Sequence, residues 1–193
     1  MRHLEVRRHS FTKKGEDRGR GSHLSDEGVR LARRVGETIG PFSRVVASDV
    51  PRTLETALAM GFAVDEILPF GEGLDWHAVI DEIGWHALWE INDPFAHVAQ
   101  LLPSRPHTAR LGRHYRDRWL EIAMALDDDE AALIISHGQL MEVAVVSCLP
   151  YADHSSWGPP FSHCEGVRLL VQNGAFTDVE LLRIDATWVA TAG

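Results

Sequence analysis

Residues 131–138, with the sequence AALIISHG, decide the fold class of this chain. An unbroken run of small and apolar residues at 131–136 is typical of a strand that is buried on both faces of a parallel sheet. Residues 140–146 follow with a pattern that predicts a buried helix. A buried strand that leads directly into a helix predicts an α/β architecture, with helices covering both faces of the sheet.

The rest of the chain repeats this alternation of strands and helices. Further strands are predicted at 4–9, 44–48, 63–68, 166–171 and 179–184, and further helices at 26–39, 51–61 and 111–126. Ser25 is placed to cap the first helix, Pro51 suits the first turn of the second, and the pair Asn173-Gly174 can close a tight hairpin between the last two strands. The prediction is a three-layer α/β/α sandwich with a mostly parallel central sheet.

Length and composition bound the function. The 193 residues predict one domain, 1–193, and any cap or insertion is expected at 71–110, where the pattern has no clean period. The net charge of −9 argues against nucleic acid and anionic membranes as partners, although residues 1–34 carry ten basic and five acidic residues. Two cysteines, no apolar leader and no run of about 20 apolar residues predict a cytoplasmic protein outside the membrane.

Cationic and imidazole side chains stand where three predicted strands end. Arg8 and His9 close the first strand, Arg52 follows the second, and His137 follows the buried strand at 131–136. Because the carboxyl ends of parallel strands meet at one edge of a sheet, we expect these side chains to converge there. Arginine presents a rigid fork of donors to phosphate oxygens, so the convergence predicts a phosphoryl-binding site.

Four segments, in this order along the chain, carry a resemblance to a known family: 6–10 (VRRHS), 24–28 (LSDEG), 48–57 (SDVPRTLETA) and 136–138 (SHG). Together they resemble the motifs of the histidine phosphatase superfamily, which includes phosphoglycerate mutases, the fructose bisphosphatase domain and acid phosphatases. Each segment lies at a predicted strand end or helix start, which makes the combination far more specific than any one match. The resemblance therefore also implies the phosphoglycerate mutase-like form of the α/β sandwich.

The resemblance implies a phosphomonoester hydrolase that needs no metal or other cofactor. His9 would be the nucleophile that forms a phosphohistidine, while Arg8, Arg52 and a cationic His137 would bind the phosphoryl group. Glu72 is the expected proton donor to the leaving alcohol, with Asp75 as its rival. The substrate is expected to be a small phosphorylated metabolite or a phosphoprotein.

Alternatives stay open at this level. A mutase-type phosphotransferase is the nearest rival within the family. A catalytically weak phosphate-binding module is suggested by Ser10, which stands where the family usually has Gly or Ala. A metal-dependent hydrolase that uses the other histidines is less favoured, because those histidines lack the spacing of metal ligands.

Several neighbouring residues have simpler interpretations. Arg7 is expected to pair with Glu5. Three tryptophans in the middle of the chain could line a substrate cap, but they are interpreted as core residues. The basic residues after His9 could receive a second negative group of the substrate, but they are interpreted as a solvated loop. The tryptophans are Trp76, Trp85 and Trp89. The basic residues are Lys13, Lys14, Arg18 and Arg20.

Overall fold

The computed structural model describes residues 1–15, 21–84, 87–185 and 187–188, and within them six strands form a single sheet. The strands are β1 (His3–Arg8), β2 (Arg44–Ser48), β3 (Glu66–Leu68), β4 (Ala131–Ser136), β5 (Gly166–Gln172) and β6 (Ala175–Leu182). The helices are α1 (Asp26–Gly36), α2 (Pro51–Ala59), α3 (Trp76–Ile83), α4 (Pro94–Leu101), α5 (Pro106–Met124) and α6 (Leu140–Cys148). Short 3₁₀ helices occupy Ala87–Glu90, Leu102–Ser104 and His154–Trp157.

The strand order is β3-β2-β4-β1-β5-β6, and the pairings among the first four strands in this order are parallel. β5 runs antiparallel to both of its neighbours. In the centre, all six residues of β4 are buried, as the apolar run at 131–136 predicts. The predicted α/β sandwich is therefore confirmed, as a mixed sheet with helices on both faces.

Two hydrophobic clusters fill the space between the sheet and its helical layers. On one face, α1 and α2 contribute Val35 and Ala57 to a cluster with Ile135 of the sheet. On the other face, α3 to α6 form the larger cluster, in which Trp119 and Met141 are fully buried. The alternating strand and helix pattern produces this arrangement because each apolar helix face needs a sheet face to cover it.

Capping and turn residues fix several element ends. The Ser25 hydroxyl accepts a hydrogen bond from the Gly28 amide at 3.0 Å and begins α1, as predicted, and Pro51 occupies the first turn of α2. Asn173 and Gly174 both have positive φ and close the hairpin between β5 and β6. Because this turn has only two residues, β6 begins at Ala175, earlier than the predicted strand at 179–184.

The segment 71–110, which sequence periodicity leaves unassigned, contains α3, α4 and two of the 3₁₀ helices. α3 packs against α5, and α4 packs against α6, so the segment belongs to the helical layer on the larger cluster. In the described part of the chain, no helix combines the length and the apolar character that a bilayer crossing requires.

Candidate active site

A cavity of about 660 Å³ lies at the carboxyl ends of the parallel strands, and four of the predicted site residues line it. They are Arg8, His9, Arg52 and His137, which together we call the cradle. The register of the sheet brings them together, because Arg8 is paired with Ser136 and the next residues along the two strands are the histidines. The ring centroids of His9 and His137 lie 5.5 Å apart.

The His9 imidazole has a defined tautomer. Its Nδ1 lies 2.8 Å from the Ser10 carbonyl oxygen, which can only accept, so Nδ1 carries the proton and donates it. Burial lowers the pKa of His9 well below 6.5, and the nearby His137, Arg8 and Arg52 lower it further. A neutral ring protonated at Nδ1 has its lone pair on Nε2, which is the form that a nucleophilic histidine requires.

His137 is also neutral, for a reason that can be read from its partners. Its Nδ1 lies 3.1 Å from a guanidinium nitrogen of Arg52, which can only donate, so Nδ1 is the acceptor. Its Nε2–H therefore donates to the Ser48 hydroxyl at 2.8 Å, and that hydroxyl lies 2.8 Å from the hydroxyl of Thr53. Burial, followed by the charges of Arg52 and Arg8, lowers the pKa of His137 well below 6.5. The expected cationic His137 does not occur in this arrangement.

The Arg8 guanidinium is positioned by a main-chain carbonyl and by an aromatic ring. One terminal nitrogen donates to the Phe161 carbonyl at 2.7 Å, and the guanidinium lies 4.4 Å from the ring centroid of Trp89. The amide of Phe161 donates to a carboxylate oxygen of the buried Glu142 at 2.9 Å, which fixes the peptide that Arg8 contacts. A Cβ on Gly138 would lie 2.9 Å from Trp89 and 3.0 Å from Arg8, so a larger residue there would force one of these side chains to shift.

Arg52 completes the cationic side of the site from the first turn of α2. It donates to the Ser22 hydroxyl at 2.9 Å with one terminal nitrogen and to His137 with the other. Burial, and then the charge of Arg8, lower the pKa of the Arg52 guanidinium. Two cations that repel each other across a buried cavity favour an anion between them.

Ser10 does not face the cavity. Its hydroxyl donates to the Gly28 carbonyl at 2.7 Å, and its amide donates to the Thr56 hydroxyl at 3.0 Å. The Thr56 hydroxyl in turn donates to the Arg52 carbonyl at 2.6 Å. The Ser10 hydroxyl therefore fastens the loop after β1 to α1, and its amide fastens the same loop to α2. The side chain neither crowds the cavity nor adds a donor to it. Arg7 pairs with Glu5 at 2.5 Å, as expected.

The two candidate proton donors lie elsewhere. Glu72 is exposed and is not one of the described residues that line the cavity. Asp75 is also exposed, and its carboxylate accepts the Ala78 amide at 3.1 Å as the N-cap of α3. None of the described lining residues is an Asp or Glu. The role of Glu72 therefore stays a prediction, while Asp75 has a structural task.

Sequence reasoning missed other residues that line the cavity. His163 has its ring centroid 5.8 Å from that of His9 and packs against Phe11, and burial and Arg8 lower its pKa to about 3. Trp76 and Trp89, expected in the core, line the cavity, as do Lys13 and Lys14. One signal could have found His163: it precedes β5, and the start of an antiparallel strand lies at the same sheet edge as the ends of its parallel neighbours.

Three of the residues considered earlier, Arg18, Arg20 and Trp85, lie outside the described residues. Within residues 1–15, 21–84, 87–185 and 187–188, no group of three or more His, Cys, Asp or Glu side chains is placed to hold a metal ion.

Comparison with known proteins agrees with this geometry. The family model of the histidine phosphatase superfamily (branch 1) matches residues 4–183. The chain belongs to the histidine phosphatase superfamily. The match includes β1 from Leu4 onward, the other five strands, and Arg8, His9, Arg52 and His137, so the resemblance first seen in the four segments is confirmed. No significant match was found among curated protein sequences.

Several solved structures share the fold of this chain. A mycobacterial glucosyl-3-phosphoglycerate phosphatase complexed with VO3 is 20% identical, with a TM-score of 0.65 over 94% of this chain and 98% of that one. An Entamoeba histolytica phosphoserine phosphatase, in complex with 3-phosphoglyceric acid, is 16% identical, with a TM-score of 0.63 over 95% and 98%. A Bacillus anthracis phosphoglycerate mutase is 20% identical, with a TM-score of 0.60 over 98% and 96%. Phosphatases and mutases thus both occur among the relatives in fold.

Proposed function

We propose that this protein is a phosphomonoester hydrolase that acts through a phosphohistidine at His9. One observation carries the proposal: a neutral imidazole with its lone pair on Nε2 shares a cavity with two guanidinium groups and a second imidazole. Since a phosphate monoester is a dianion, such a cradle attracts it and stabilises the charge of the transition state. A cavity of about 660 Å³ also fits a small phosphorylated metabolite better than a phosphoprotein surface.

In the proposed mechanism, the phosphoryl group is bound between Arg8 and Arg52. Nε2 of His9 forms a bond to phosphorus while the ester P–O bond breaks, and the leaving alkoxide takes up a proton, for which Glu72 is the predicted donor, and departs as the alcohol. The ring then carries positive charge, which the hydrogen bond from Nδ1 to Ser10 stabilises. Water next attacks phosphorus, the P–N bond breaks, inorganic phosphate is released and His9 regains its lone pair.

His137 has a second part in this proposal. The negative charge of the bound substrate raises the pKa of a nearby imidazole. His137 can then take up a proton and donate it in a hydrogen bond to a phosphate oxygen, and Arg52 turns from His137 to the same phosphate. The neutral His137 of this structure and the cationic His137 that the family resemblance implies are thus successive states of one residue.

The test is a rapid-quench experiment with labelled phosphomonoesters in the presence of a chelator. We expect acid-labile label on the wild-type protein, release of free phosphate, and loss of both in His9→Ala. Transfer of the label to another substrate carbon would show a mutase instead. Tight phosphate binding without a labelled protein would show a binding module, and activity that the chelator abolishes and zinc restores would show a metal-dependent hydrolase.

The predicted role of Glu72 has its own test. Glu72→Ala should lower turnover of esters with poor leaving groups much more than that of activated aryl esters, because only a poor leaving group needs a proton. The matched control is Asp81→Ala, which removes another exposed carboxylate from the same region, on α3. Equal effects of Glu72→Ala on both classes of ester would remove Glu72 from the role of proton donor.

A further inference from the structure

Apart from the cradle of Arg8, His9, Arg52 and His137, the cavity is lined largely by apolar side chains. They come from the turn after β3, from α3, from the 3₁₀ helix at Ala87–Glu90 and from the start of two longer helices. The set is Phe70, Trp76, Val79, Ile80, Ile83, Trp89, Leu111 and Leu140, which we call the apolar wall.

The apolar wall begins at the cradle itself. Phe70 meets His137 edge to face, with ring centroids 4.4 Å apart, and stacks on Trp76 at 4.8 Å with an interplanar angle of 10°. On the other side, Trp89 lies 4.4 Å from the guanidinium carbon of Arg8. A group attached to a phosphate in the cradle therefore lies close to aromatic surface on both sides.

α3 continues the wall with aliphatic side chains. Its cavity-lining residues Trp76, Val79, Ile80 and Ile83 have the spacing of a single helix face. Val79 and Ile83 are also part of the main hydrophobic cluster, so this part of the wall is held in place by the core. The part of the wall that α3 contributes is therefore built into the fold.

The size and the polar lining of the cavity narrow the choice of ligand. A phosphoryl group is equivalent to only a few water molecules of about 30 Å³ each, so most of the 660 Å³ is available to the group it carries. Polar lining residues other than Gln139 come mainly from the segment after His9, and Lys13 and Lys14 among them are exposed, at the rim. The amide nitrogen of Gln139 already donates to the Gly84 carbonyl at 2.8 Å.

We propose that the apolar wall is the leaving-group subsite and that the preferred substrates are phosphate monoesters of apolar alcohols, with an alkyl or arylalkyl group of about six or more carbons. This inference rests on the proposed hydrolase activity, which supplies the phosphate end of the substrate. The wall removes the hydrocarbon from water, whereas a carboxylate or sugar hydroxyl there would exchange its hydration for contact with mostly apolar side chains.

The test is the hydrolysis of an n-alkyl phosphate series from methyl to hexyl. The alcohols differ little in acidity, so differences in kcat/KM report recognition of the chain and not the quality of the leaving group. We expect kcat/KM to rise by about 10-fold or more from methyl to hexyl, because each methylene in a fitted pocket contributes measurably to discrimination. Phosphoserine and 3-phosphoglycerate should be poorer substrates than hexyl phosphate. A flat series, or a preference for either polar ester, would overturn the inference.

Two isoleucines provide a matched pair of variants. Ile80→Asn places an amide in the apolar wall, and it should lower the ratio of kcat/KM for hexyl over methyl phosphate by about 10-fold. Ile67→Asn makes the same change at an exposed position of β3, outside the lining, and should leave that ratio at the wild-type value. Equal ratios in the two variants would show that Ile80 does not contact the chain.

A binding measurement separates this inference from the proposed function. Hexylphosphonate and methylphosphonate cannot be hydrolysed, and their affinities can be measured by calorimetry on the wild-type protein. Tighter binding of hexylphosphonate by about 10-fold supports the apolar subsite even if no ester is turned over. Turnover through His9 with no difference between the phosphonates would instead support the hydrolase and refute the subsite.

Discussion

Replacement of His163 should change how the stability of this protein depends on pH. In the folded protein, burial and Arg8 lower the pKa of His163 from 6.5 to about 3. Below pH 6.5 the unfolded chain therefore binds a proton that the folded protein does not, so the free energy of unfolding falls as the pH falls. The loss is about 1.36 kcal/mol for each pH unit below 6.5, until the folded pKa is reached.

When the pH falls from about 7.5 to about 5, the unfolding free energy of the wild type should decrease by about 2 kcal/mol more than that of a variant without the His163 imidazole. Urea denaturation of wild type and His163→Gln over this range measures the difference, with equal m-values as the condition for comparison. His163→Phe is the control, because it keeps a ring against Phe11 and removes only the titration. Curves for wild type and both variants that run parallel would refute the assignment of a depressed pKa to His163.

Two further predictions concern the residues that hold the cradle. Gly138→Ala should lower kcat/KM by about 10-fold, because its Cβ would lie 2.9 Å from Trp89 and 3.0 Å from Arg8, so these side chains must shift away from position 138. Gly21→Ala, where an added Cβ meets nothing within 4 Å, is the matched control, and similar kinetics of the two variants would contradict the steric argument. Ser10→Ala should lower the unfolding free energy by about 1–3 kcal/mol, because the buried bond to the Gly28 carbonyl is lost. The control is Ser104→Ala, which removes an exposed hydroxyl and should change the unfolding free energy by no more than about 0.5 kcal/mol. If Ser10→Ala lowered the unfolding free energy by no more than this control, the Ser10 hydroxyl would not be a stabilising contact.

The cradle was predictable because it depends on backbone topology. Arg8, His9 and His137 each stand at the end of a strand whose apolar pattern is clear, and parallel pairing brings such ends to one edge. Arg52 follows from Pro51, which marks the first turn of α2. The fold class and the convergence of these side chains could therefore be predicted from the sequence, because both follow from hydrophobic periodicity and from the direction of the strands.

The rest of the site depends on side-chain geometry that periodicity does not encode. The neutral state of His137 follows from one contact, the donation from Arg52 to Nδ1, which no sequence pattern reports. Trp76 and Trp89 look like core residues because a cavity wall and a protein core have the same apolar composition. Glu72 follows a strand end, as the cradle residues do, but the turn at Gly71 and Gly73 leaves it exposed.

The pairing of β1 with β4 determines when His9 and His137 can come together during synthesis of the chain. His9 is synthesised more than a hundred residues before β4, the strand that pairs with β1 and carries His137 at its end. Domains generally fold as units once enough chain has emerged, at about 5–20 residues per second. A nascent chain therefore carries His9, the proposed nucleophile, for several seconds or more before the imidazole of His137 is synthesised, so the proposed phosphoryl-binding site cannot assemble until most of the chain is made.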